Sequence, residues 1–143
     1  MVCLDLDGTL TDTEHRQHFL TGDKQDWDSF HAACVDDPPN EQVCAIARGL
    51  YGGRIIEIWT GRPERYRTET LDWLHRNRIR HHKLRMKPDD EPTIHANELK
   101  GRWLAEIRGR GDDVDLAIDD RASCVAWWRE QGVTAIDVAG HPY

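Results

Sequence analysis

Long apolar runs are missing from this 143-residue sequence. None approaches the ~20 residues that cross a bilayer as a helix, so no membrane span is expected. Cysteine is present only as Cys3, Cys34, Cys44 and Cys124, with no C-x-x-C pair. That reads as free thiols in a reducing, cytoplasmic setting rather than as a disulfide framework. Positive charge is short: the net charge is −7 and the pI about 5.5. This balance argues against a protein that coats long nucleic acid with a basic face, though not against one that grips a strand end. Internal repeats, low-complexity tracts and linkers are absent, which leaves one domain with a single sizeable core. No G-x-x-x-x-G-K-[ST] occurs anywhere, so the P-loop phosphate cradle is excluded. The sequence is already strand-like at Val2, which leaves no stretch resembling a signal peptide.

What is present is an alternation of apolar runs with helical stretches. Strands are expected at Val2–Leu6, 54–60, 83–86, 114–118 and 134–138. Asn40 is a candidate cap for a helix to about Tyr51, with Val43, Ile46, Ala47 and Leu50 on one face. Further helices are expected after Pro63, through Leu99 to Ile107, and from Ala122 to Gln131. The segment from about 12 to 39 is less regular and suggests at least one short amphipathic helix around Trp27 and Phe30. Such alternation implies an α/β fold, a doubly wound parallel five-stranded sheet with helices on both faces. Ligands of such sheets bind beyond the C-terminal strand edge, at a topological switch point. The residues that end the strands should therefore converge.

Those residues form a chemically coherent set. Asp5-Leu6-Asp7-Gly8-Thr9 follows the first apolar run, Thr60-Gly61-Arg62 ends the second strand and Asp119-Asp120 ends the fourth. Two carboxylates at one strand end, spaced to point the same way, are costly unless something positive sits between them. A divalent cation with a phosphoryl group fits, and carboxylate oxygens suit magnesium. One aspartate could attack phosphorus and another move protons. A hydroxyl and a lysine could hold the phosphoryl oxygens.

DLDGTL, WTGR, a downstream lysine and AIDDR, in that order, resemble the haloacid dehalogenase superfamily of phosphohydrolases. Residues 116–138 resemble more narrowly the 3′-phosphatase domain of phage polynucleotide kinase. That resemblance implies a single HAD-like (Rossmannoid) phosphatase domain over 1–143 with a minimal cap insert. It implies Asp5 as nucleophile, Asp7 as general acid/base, and Thr60 and Lys100 as catalytic partners. It also implies Arg16, Gly61 and Arg62 at the substrate. Magnesium would be held by Asp5, the main-chain carbonyl of Asp7 and an aspartate of the Asp119-Asp120 pair. The implied substrate is a phosphorylated nucleic-acid end or a nucleotide, most readily a 3′-phosphate. An acidic residue that the family uses a few positions before the lysine has no counterpart among His95, Ala96 and Asn97.

Other readings stay open at this level. Lys87 competes with Lys100 for the lysine role, and Arg121 is a weaker phosphate contact. Trp27, in the insert, could stack a base, whereas Trp59 reads as sheet core. Neither His81-His82 nor His141 has metal-ligand spacing. The acid-free run from His75 to Lys87 is either a solvated helix end or a contact surface for substrate phosphates. A small-molecule nucleotidase of the same superfamily is the enzymatic alternative. A signalling receiver domain is the non-enzymatic one, but it would carry its acidic pair after the first strand and its acceptor aspartate after a middle one.

Overall fold

Apolar β-branched runs and amphipathic stretches fold as their periods demand, into strands that alternate with helices. The computed structural model describes residues 1–141, with Gly140 and His141 given by backbone alone, so the side chain of His141 lies outside the described residues. The strands are β1 (Val2–Leu4), β2 (Ile56–Pro63), β3 (Lys83–Lys87), β4 (Leu116–Arg121) and β5 (Thr134–His141). The helices are α1 (Trp27–Ala32), α2 (Glu41–Leu50), α3 (Arg67–Arg76), α4 (Ala96–Gly109) and α5 (Ala122–Glu130). All pairings are parallel and the strand order is β3-β2-β1-β4-β5.

The period-two alternation of β1 separates two cores. Val2 and Leu4, with Ile56 and Ile58, pack toward Ala47, Trp73 and Leu74 of α2 and α3. Cys3, with Trp59 and Ala117, packs toward Leu104, Ile107, Val125 and Trp128 of α4 and α5. The sheet is therefore covered on both faces, as an all-parallel sheet must be. The chain leaves β1 toward β2 and later returns to pair β4 on the other side of β1. The switch point thus lies at the C-terminal ends of β1 and β4.

Strand ends differ from the sequence expectation in two opposite ways. The first strand stops at Leu4 rather than Leu6, because the Leu6 carbonyl accepts from the amides of Thr9, Leu10 and Thr11 and winds the chain into a turn. β2, β4 and β5 run further than their apolar residues, to Pro63, Arg121 and His141. The β2–β3 register shifts between Trp59 and Pro63, and the β4–β5 register between Asp119 and Arg121. Such bulges re-aim side chains, and both fall at the residues proposed for the site.

One expectation is corrected and one open alternative is decided. The Asn40 side chain makes no cap hydrogen bond to α2; its Nδ2 donates to the carbonyl of Thr9 at 2.9 Å and more loosely to those of Gly8 and Thr11. Asn40 thereby pins the loop after β1. The basic run does not form one face: Arg76 ends α3 and donates to the Val35 carbonyl, Arg80 lies over the Tyr51 ring, and Lys83 opens β3. Only Lys87, at the C-terminal end of β3, belongs to the edge where β1 and β4 end. No helix among the described residues is long and apolar enough to cross a membrane.

Candidate active site

Beyond the switch point lies a cleft of about 1100 Å³ whose walls include Asp5, Asp7, Thr60, Gly61, Lys100 and Asp119-Asp120. These residues arrive from four elements: the loop after β1, the bulges of β2 and β4, and the first turns of α4. Lys100 is buried and donates through Nζ to Asp5 Oδ1 at 2.9 Å and to Asp119 Oδ2 at 2.6 Å. Lys100, not Lys87, is therefore the lysine among the carboxylates. Burial pulls its pKa down, but Asp5 and Asp119 outweigh burial and keep the ammonium charged well above its usual range.

Carboxylate oxygens of Asp5, Asp119 and Asp120 lie within 4.8 Å of one another. With one lysine among them, the group keeps an excess of negative charge away from water. Burial first, then Asp119 and Asp120, push the Asp5 carboxyl up to about 8. Burial and Asp119 raise Asp120 as well. A hard divalent cation relieves such strain by supplying the missing positive charge, and three carboxylates suit it. Asp120 is also crowded by the turn: a Cβ on Gly8 would meet its Oδ2 at 2.2 Å, and Gly8 has φ of +85°. Thr9 Oγ1 donates weakly to both Asp5 and Asp120, at 3.4 and 3.3 Å.

Asp7 occupies a different environment, although only Leu6 separates it from Asp5. The chain has left the strand after Leu4 and winds into a turn at Leu6, so the two aspartates meet different partners and do not share one cation through their side chains. Asp7 Oδ1 instead accepts from Arg16 Nη2 at 2.5 Å and from Arg62 Nη2 at 2.5 Å. Burial would raise the Asp7 pKa, but Arg62 and Arg16 hold it well below the usual carboxylate range. Both arginines are 0% exposed, and each also donates to Asp37: Arg16 Nε and Nη2 at 2.7 and 2.6 Å, Arg62 Nη2 at 2.8 Å. In this geometry they position Asp7 rather than face the cleft. Asp37 was missed by sequence reasoning; in Asp36-Asp37-Pro38-Pro39 it looks like an ordinary turn acid, and nothing local points to arginines at 16 and 62.

Thr60 is buried, and its Oγ1 accepts from the Arg62 amide at 3.1 Å. A Cβ on Gly61 would meet nothing within 4 Å, so the backbone there is open to the cleft. Arg121 is exposed at the rim, and its amide donates to Asp119 Oδ1. Cys124 lines the cleft beside Lys100, but burial pushes its thiol up to about 11, which leaves it a poor nucleophile.

A parallel sheet of this order, carrying aspartates after its central strand and an aspartate pair on the neighbouring one, defines a haloacid dehalogenase-type phosphatase, a phosphoric monoester hydrolase. Within that class the chain belongs to the family described as the polynucleotide kinase PNKP phosphatase domain, which it matches over residues 1–143. Solved structures agree. A chain of the Pnkp1/Rnl/Hen1 RNA repair complex superposes with a TM-score of 0.80 at 24% identity, covering 96% of this chain and 41% of that one. A second structure of the Pnkp1/Rnl/Hen1 complex gives 0.75 at 25% identity, covering 96% and 45%. This chain thus spans less than half the length of those two. A haloacid dehalogenase-like family hydrolase from Streptococcus pneumoniae shares the fold, with a TM-score of 0.64 at 15% identity and coverage of 95% and 82%. No curated protein matches the chain.

Proposed function

We propose that this chain removes the 3′-phosphate from polynucleotide ends through an aspartyl-phosphate on Asp5, with magnesium as cofactor. The observation that carries the reading is the family match over the full chain. The meeting of Asp5, Lys100, Asp119 and Asp120 supports the chemistry. An Asp5 carboxylate oxygen attacks phosphorus, the Oδ–P bond forms, and the P–O3′ bond breaks. The departing 3′-oxygen takes a proton from Asp7. A water then attacks phosphorus while Asp7 takes back a proton. The Oδ–P bond breaks, releasing phosphate and restoring the Asp5 carboxylate.

Lys100 offsets charge on Asp5 and on the transferring group, and Thr60 with the Gly61 backbone faces the phosphoryl oxygens. A magnesium ion held by Asp5, Asp119 and Asp120 would supply charge neutralisation at those oxygens. Asp7 is ionised in the present geometry, the form that accepts a proton from water. Its turn as an acid requires the arginine hold to relax. Arg62 can do so without losing all its partners, since it is shared with Asp37.

Phosphate release from a short 3′-phosphorylated oligonucleotide, measured with magnesium beside free mononucleotides, tests the reading. Asp5→Asn is expected to lower kcat by a factor on the order of 10³ or more, as loss of a covalent nucleophile does. Activity retained in that variant removes Asp5 from its role. A clear preference for mononucleotides makes the chain a nucleotidase.

A further inference from the structure

Beside the catalytic cleft lies a second one of about 710 Å³, and the two share Trp27, His31 and Lys87 in their walls. Trp27 is 50% exposed, an unusual state for the largest apolar side chain, and its ring stacks on His31 at 5.9 Å with an interplanar angle of 29°. His31 is itself only 6% exposed, and its Nδ1 has no hydrogen-bond partner among the described residues. A buried ring nitrogen without a partner is costly unless a ligand or water supplies one. The platform is firmly held. Phe30 meets Trp27 edge-on, the Arg16 guanidinium lies 4.2 Å from the Phe30 centroid, and Tyr66 also packs on His31, at 5.7 Å between ring centroids. Arg65 is spent on Asp28 and Asp89. Lys24 and Lys87 line the same cleft without an ion pair among the described residues, and Lys87 Nζ donates to the Pro92 carbonyl at 3.1 Å.

We propose that this second cleft is a nucleobase subsite, in which Trp27 stacks a base of the strand whose phosphate sits at Asp5, His31 meets the base edge, and Lys24 and Lys87 face the strand's backbone phosphates. An exposed indole beside two lysines that no carboxylate neutralises is the pairing that single-stranded nucleic acid takes without sequence preference. Its continuity with the catalytic cleft puts both on one strand. The subsite rests on the reading of the chain as a polynucleotide phosphatase, and it adds the element that would favour a strand over a bare phosphate ester.

The test separates binding from turnover. Equilibrium binding of a short single-stranded oligonucleotide without a terminal phosphate is measured for wild type, Trp27→Ala and Trp27→Phe, each checked for an unchanged melting temperature. Trp27→Ala is expected to weaken binding about tenfold, the scale of one base–aromatic stack, and Trp27→Phe to restore most of it. In parallel, Trp27→Ala should raise KM for the 3′-phosphorylated oligonucleotide while leaving kcat and inhibition by inorganic phosphate unchanged. Equal oligonucleotide binding by wild type and Trp27→Ala overturns the subsite. So does an equal loss of affinity for inorganic phosphate, which would mean that Trp27 only supports the catalytic cleft. Failure of wild type to release phosphate from the oligonucleotide would instead strike the proposed function, and the binding arm reads the subsite independently of it.

Discussion

Asp5 and Asp7 are chemically identical, yet burial beside other carboxylates raises one and a pair of guanidinium groups depresses the other. The turn that follows them depends on Gly8. Its positive φ lets the chain turn after β1, and its missing side chain makes room for Asp120. Gly8→Ala should therefore fail twice. A β-carbon 2.2 Å from Asp120 Oδ2 displaces that carboxylate, and the left-handed backbone costs about 1–3 kcal/mol. Urea unfolding is expected to show that loss. Phosphate release at a temperature where the variant is fully folded should fall further than the stability change explains. Unchanged turnover would show that the position of Asp120 does not matter. The signal for Gly8 was legible in D-x-D-G-T, because a glycine after two acids marks a turn. Asp120 as the group it accommodates was not legible, since the two lie 112 positions apart in the sequence.

At the scale of elements, the insert between β1 and α2 contributes more than a small cap. It brings Arg16 on a 3-10 turn (Glu14–Leu20) and Asp37 just beyond another (Ala33–Asp36), and with Asp7 and Arg62 these form a charge-balanced quartet in which all but Asp7 are buried. Removing one charge leaves an uncompensated guanidinium in the interior. Asp37→Asn is expected to lower unfolding free energy by about 3–5 kcal/mol, read by urea denaturation at neutral pH. A loss of under ~1 kcal/mol would mean that water already reaches the quartet. The regular elements were legible because hydrophobic periodicity is local: all five strands and the helices on both faces followed from apolar spacing. Strand ends were less so, since β2 and β4 run on through Thr60-Gly61-Arg62 and Asp119-Asp120, polar residues that a hydrophobic pattern reads as loop. The insert was least legible. Asn40, Asp37 and His31 are ordinary turn or helix residues until the sheet brings their partners to them.

For the whole molecule, pH should reveal the balance of buried charge. Burial holds His31 at about 4 against an ordinary 6.5; Asp7 opposes that shift, while Lys87, Arg16 and Arg62 reinforce it. The unfolded state therefore takes up this proton first, and stability is lost as pH falls from 6.5 to about 4. Asp7 is depressed in the fold, so its contribution is present above its ordinary 3.8 and disappears as pH falls below it. Asp5 acts in the opposite sense: its raised pKa makes ionisation costly as pH rises from 3.8 toward about 8. Comparing wild type with His31→Gln isolates the histidine. Between pH 6.5 and 4 the wild-type stability should fall more steeply, by up to ~1.4 kcal/mol per pH unit; parallel curves would mean that His31 is protonated in the fold. The strand order carries one more consequence. β1 lies between two neighbours on each side of the sheet, and the Asp5 amide is tied to the Ile118 carbonyl at 2.9 Å. Central strands exchange their amide hydrogens last, whereas segments outside the sheet open locally and often. The site is thus assembled from parts with unequal lifetimes. Asp5 and Asp119 stay in place as long as the protein is folded, and the ion pairs of Arg16 hold its part of the insert to them, whereas the exposed loop that carries Lys24 can open on its own.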